Sequence, residues 1–142
     1  MFIQSTKTGI KKGIETTWML AKIIIPVYFC VTILKYTPVI GWIANLFQPL
    51  MGLFNLPGEA VIVLVLANVL DPYAAIGAIK AISLTPFQIS TLALMIGFSH
   101  ALIIETVLAK KLGISISMVT GVRLGLAVVF GMLVGKVGGL LW

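Results

Sequence analysis

The stretch PVIGWIANLFQPLMGLFNLPGEAVIVLVLANVLDP, residues 38–72, decides how the chain is read. It is almost free of charge, yet it is interrupted at Asn55-Leu56-Pro57-Gly58, residue types that favour a turn. The interruption leaves two helical arms, about 17 residues (38–54) and about 12 residues (59–70) long. At 1.5 Å per residue the second arm reaches about 18 Å, short of the roughly 30 Å hydrocarbon core of a bilayer. Two such arms make a re-entrant helical hairpin with its tip, and Glu59 beside it, at membrane depth. A competing layout makes the first arm interfacial and runs one span from 59 to 82, broken at Leu70-Asp71-Pro72.

Composition sets the class. Of 142 residues 60% are hydrophobic and 10% charged, with a mean hydropathy of +1.15, whereas soluble domains carry about 25% charged residues. An ordinary soluble protein is excluded, and there is no room for a separate aqueous catalytic domain. The expectation is an all-α integral membrane protein with about four to five hydrophobic helical segments, broken helices among them. The net charge of +6 would suggest nucleic acid in a soluble chain. Here the basic residues flank apolar runs and read as interface anchors, so no nucleic acid is expected as a partner.

Residues 1–16 place Ile3, Ile10 and Ile14 near helical spacing with lysines between them, the pattern of an amphipathic segment lying at the headgroups. Residues 17–142 are then a single transmembrane domain. Lys7, Lys11 and Lys12 ahead of an apolar run resemble a signal peptide, but Lys35-Tyr36-Thr37-Pro38 follows instead of a cleavage site, so the helix is read as retained. Thr37-Pro38, Asp71-Pro72 and Thr85-Pro86 each pair an N-cap residue with proline at the first helical position, marking three helix starts. Residues 86–112 read as one full crossing, ending at Lys110-Lys111 and Gly113. Residues 115–142 form the last span, whose Gly121, Gly125, Gly131 and Gly135 allow close helix approach. Followed through these crossings, Lys7, Lys11, Lys12, Lys22, Lys80 and Lys136 share the N-terminal side against Lys35, Lys110, Lys111 and Arg123. That bias is weak, so either orientation is open.

Ionisable groups inside spans cost about 2.5–3.5 kcal/mol each on insertion scales and call for pairing, a water cavity or a function. Glu59 opens the second hairpin arm, where its carboxylate could hold a cation or bond a solute; the plain alternative is that it stabilises its own helix dipole. Asn68 and Asp71 follow, the latter as an ordinary helix cap. Ser99 and His100 fall mid-span, and an imidazole there could relay a proton or simply satisfy helix packing. On a continuous helix Glu105 is about 140° from His100, so Glu105 would pair with Lys110 or Arg123 instead. The one cysteine, Cys30, forms no intrachain disulfide, and no catalytic, metal or cofactor motif is present: the chain is not read as an enzyme.

Gly41-Trp42-Ile43-Ala44, the run from Gln48 to Ala60, Gly97-Phe98-Ser99-His100-Ala101-Leu102-Ile103-Ile104-Glu105 and Lys110-Lys111-Leu112-Gly113 together resemble the bacterial nucleoside-recognition, or gate-domain, membrane proteins. That family is related to nucleoside transporters and spore-maturation membrane proteins, and the likeness covers roughly residues 35–115. Gly58-Glu59-Ala60 is similar to a Gly-x-x-Glu-Ala turn whose glutamate contacts substrate in nucleoside transporters, with the two intervening residues missing here. The resemblance implies a multi-pass protein of the bacterial plasma (inner) membrane, forming one half of a transporter or channel. It would oligomerise, as a dimer that can be antiparallel or with a second gate-domain protein, around a midplane site for a small solute or ion. The solute would be nucleoside-like and the process proton- or ion-coupled, with Glu59, Asn68, Ser99, His100 and Glu105 lining the site. The alternative is a non-transporting scaffold or regulatory subunit of the spore-maturation type.

Overall fold

The computed structural model describes residues 2–141, so Met1 and Trp142 lie outside the described residues. The chain is helical throughout, with no strand among the described residues: α1 (Phe2–Lys35), α2 (Pro38–Gly52), α3 (Ala60–Val69), α4 (Pro72–Ala81), α5 (Pro86–Ser99), α6 (Leu102–Lys111) and α7 (Ile116–Leu141). Among the described residues, three stretches are long and apolar enough to cross a membrane: Gln4–Lys35, Pro86–Lys111 and Ile116–Gly138. The protein is an all-α membrane protein.

The three proline-marked starts are the observed starts of α2, α4 and α5, and the caps explain two of them. Asp71 accepts a hydrogen bond from the Ala74 N–H at 2.8 Å. Thr85 and Gln88 form a reciprocal capping box, each side chain taking the other's backbone N–H. Thr37 is different: its hydroxyl donates to the Leu34 carbonyl and so closes α1 rather than opening α2. α1 runs unbroken from Phe2 through Pro26 to Lys35, so the amphipathic segment and the first span are one helix.

Glycines decide how the helices approach. A Cβ on Gly77 would stand 2.8 Å from the Ile24 carbonyl oxygen, so α4 presses on the backbone of α1 where only hydrogen fits. Gly58 meets the backbone of Ala44, folding the 53–59 turn back onto α2. On α7, Gly131 lies against Met95 and Phe54, and Gly135 against the backbone of Phe54. The small-residue face of α7 seats helix α5, through Met95 at Gly131 and Phe87 at Gly138, and also the 53–59 turn, while Gly121 and Gly125 meet nothing within 4 Å. α3 packs on α4, and the shared core is built from small residues, Ala60, Val63, Ala67, Ala74, Ala75 and Ala78 among them.

The contacts fix helix directions. α1 and α4 run parallel, with Ile24 beside Gly77 and the Lys35 ammonium donating to Ser83 Oγ at 3.1 Å. α5 and α7 run antiparallel, with Met95 beside Gly131 and Phe98 stacked on Phe130. The ends of α1, α4 and α7 thus gather with the start of α5, and the α6–α7 connection lies at the opposite end. This redistributes the lysines: Lys7, Lys11, Lys12, Lys110 and Lys111 lie toward one end, and Lys35, Lys80 and Lys136 toward the other.

One expectation is corrected. Residues 86–112 are not a continuous helix: α5 stops at Ser99 and α6 starts at Leu102. Between them Ala101 takes a left-handed backbone conformation, φ +52°, which costs a residue bearing a Cβ about 1–2 kcal/mol. The sequence carries no proline or glycine at that point to announce the break.

Candidate functional site

A helix that stops inside an apolar bundle leaves backbone groups without intrahelical partners, and these must be satisfied from elsewhere. At the α5–α6 break two neighbours do so. The N–H of Ala101 donates to the carbonyl of Ala67 near the end of α3, at 3.1 Å. From α7, Arg123 donates through Nε to the Phe98 carbonyl at 2.9 Å and through Nη2 to the His100 carbonyl at 3.4 Å. Its remaining nitrogen, Nη1, forms an ion pair with Glu105 of α6. One guanidinium, whose five N–H groups fan out in a plane, therefore serves two freed carbonyls and one carboxylate.

The break also brings His100 to Glu105. With the helix interrupted, the angular separation of a continuous helix no longer applies, and His100 Nε2 stands 3.7 Å from Glu105 Oε1. The other ring nitrogen, Nδ1, lies 3.2 Å from the Ile96 carbonyl. Arg123 and Glu105 side chains are 22% and 31% exposed, so the pair is largely withdrawn from solvent without being sealed.

Around this centre, Ser99 is buried and its hydroxyl donates to the Met95 carbonyl. Asn68 follows Ala67 in the chain; its amide donates to the Leu64 carbonyl, while its buried Oδ1 has no hydrogen-bond partner. A cavity of about 260 Å³ separates α4 from α5, walled by Pro72, Ala75 and Ile79 on one side and Ala93 and Gly97 on the other, with His100 at its margin. Small side chains leave this space, and imidazole supplies its polar edge.

Glu59 stands apart. It occupies the N-cap position of α3 without a side-chain capping bond, and its carboxylate has no hydrogen bond or ion pair among the described residues. Nine residues of helix, about 14 Å, separate it from Asn68. The 53–59 turn is seated on Gly131 and Gly135, whereas the break is held by Arg123, about 12–18 Å away along α7. The structure thus gathers His100 and Glu105, leaves the side chains of Asn68 and Ser99, their sequence neighbours at the break, bonded to carbonyls of their own helices, and leaves Glu59 at the other end of α3. Arg123 is the residue that sequence reasoning left outside the site; the signal was its position as the one arginine of the chain, inside the apolar run of α7.

Residues 17–135 match the nucleoside-recognition (Gate) family. The chain belongs to that family. This Gate chain is also similar to the uncharacterized membrane protein YvoD of Bacillus subtilis (strain 168), 45% identical over 129 residues that cover 91% of the chain and 41% of the relative. It therefore spans less than half the length of that relative. No solved structure matches the Gate chain. Membership ties it to membrane transport-related proteins rather than to catalysis.

Proposed function

We propose that the chain is one half of a gate-domain transporter or channel of the bacterial plasma membrane, with its solute or ion path passing the α5–α6 break. The observation that carries the reading is the Glu105–Arg123 pair with His100 beside it, placed where a helix of the span Pro86–Lys111 is interrupted. Charged groups inside an apolar bundle are expensive, and discontinuous helices that expose backbone groups are a recurrent way to build solute sites. α3 and α4, each 10 residues and about 15 Å long, are too short to cross and are read as the re-entrant pair. Their connection at Leu70 and Asp71 then meets the break, in place of the 53–59 turn. The solute is small and nucleoside-like, and its movement is coupled to a proton or ion.

A complete path needs a second half. The relative is more than twice the length of the matched stretch, which leaves room for another unit of this size. Five lysines toward one end against three toward the other leave the same excess of two as the crossing count, so a parallel copy, an antiparallel copy or a second gate domain would each supply that half.

The test is the melting temperature of the purified protein against nucleosides, nucleobases, amino acids, organic anions and metal ions, repeated with Glu105→Gln. A solute that binds the folded state raises the melting temperature by mass action. Stabilisation by one solute class, lost in the variant, supports the reading; a flat panel overturns it. One observation favours the scaffold alternative: Arg123 bonds three groups of its own chain, as a residue that only locks helices would. In that case the panel is flat and Glu105→Gln lowers stability.

A further inference from the structure

The imidazole of His100 has two differently committed nitrogens. The Ile96 carbonyl can only accept, so the Nδ1 that meets it at 3.2 Å is the nitrogen that carries hydrogen in the neutral ring. The bare Nε2 then presents a lone pair toward Glu105 Oε1 at 3.7 Å. A lone pair facing a carboxylate is unfavourable until a proton lies between them. The other carboxylate oxygen of Glu105 is held by Arg123, which aims the carboxylate.

We propose that His100 Nε2 and Glu105 Oε1 form a single proton-binding site at the α5–α6 break, with Arg123 as its positioning residue. The inference deepens the function proposed above, on which it rests for its role, by naming the proton as the ion bound at this centre. Protonation converts Nε2 from acceptor to donor, and the Nε2–H then bonds to Glu105. The charged groups of every neighbouring element are accounted for. α6 supplies Glu105 and carries Lys110 and Lys111 in its last turn; α7 supplies Arg123 and carries Lys136 toward its far end; α3 carries no charged residue; α4 carries Lys80 in its last turn and is preceded by Asp71, whose carboxylate is engaged by the Ala74 N–H. The centre is therefore neutral overall with Nε2 empty and carries one positive charge with it filled. A solute with negative character in the cavity beside His100 would meet a charge that appears only on proton binding.

The chain has one histidine, so a tag-free sample labelled with ¹⁵N-histidine gives one ring to follow without assignment. In the neutral state the Nδ1–H form should predominate, and acidification should add the second proton at Nε2. Glu105→Gln should change the Nε2 signal of the protonated ring, since the carboxylate oxygen that receives its N–H is replaced by an amide. A neutral ring with hydrogen on Nε2, or a protonated-ring signal unchanged in Glu105→Gln, overturns the proposal. If Glu105→Gln fails to fold, the tautomer of the wild-type ring decides alone. These readings need no solute. A flat solute panel with a positive titration defeats the transport reading and keeps the proton site, and the reverse pattern does the opposite.

Discussion

The N–H of Ala101 donates to the carbonyl of Ala67 at 3.1 Å, joining the interruption between α5 and α6 to the end of α3 by a main-chain bond. Substitution cannot delete that bond, but it can alter the conformation that aims it. Ala101 sits at φ +52°. Ala101→Val, with a branched Cβ in the left-handed region, should lower stability by about 2 kcal/mol. Ala101→Gly should change it by less than about 1 kcal/mol, because relief of strain is offset by the freer unfolded chain. Melting temperatures of the two variants in one detergent check the contrast, and equal losses would remove the argument.

Arg123 and Glu105 form a pair for which a double-mutant cycle is informative. Each single alanine strands a partly buried charge and should cost about 1–3 kcal/mol. The double variant should cost less than the sum by about 1 kcal/mol. Strict additivity would mean that the ion pair does not couple the two helices.

Gly58 and Gly135 touch backbone, of Ala44 and Phe54 respectively, whereas Gly121 and Gly125 face open space. Alanine at either of the first two should destabilise by about 1–3 kcal/mol, because backbone has little freedom to give way. Alanine at 121 or 125 should leave the melting temperature nearly unchanged. A loss at all four would show that the open face of α7 is occupied in the assembled protein.

The lysine distribution makes orientation testable. With the end bearing Lys7, Lys11, Lys12, Lys110 and Lys111 on the cytoplasmic side, Ser115 lies inside and Ser83 outside. In a Cys30→Ser background, a membrane-impermeant maleimide applied to intact cells should label Ser83→Cys and spare Ser115→Cys. The opposite pattern reverses the topology, and labelling of both in intact cells indicates dual insertion.

Much of the helix map was legible because local chemistry wrote it. Proline at the first helical position marked the starts of α2, α4 and α5, with Asp71 and Thr85 capping the last two, and Lys110-Lys111 with Gly113 marked the end of α6. The break at His100 and Ala101 was hidden because its causes are distant in sequence: a carbonyl on α3 and a guanidinium on α7. Periodicity assumes that a helix continues until a local signal stops it, and no such signal stands at Ala101. The same assumption concealed the approach of His100 to Glu105 and left Arg123 as one of two pairing options. The contrast at Asn55-Leu56-Pro57-Gly58 has a similar origin. The turn itself was written locally, but its seat on Gly135 was not.

α1 holds a mechanical consequence. Its 34 residues make a rod of about 51 Å, against a hydrocarbon core of about 30 Å. The rod is clamped to α4 where Gly77 meets Ile24, so the arm from residue 2 to residue 24, about 33 Å, extends beyond that fulcrum. A tilt of about 10° at the clamp swings the far end of that arm by about 6 Å. α4 also walls the cavity beside His100. Any adjustment of that wall is thereby magnified into displacement at a lysine-bearing tip outside the bundle.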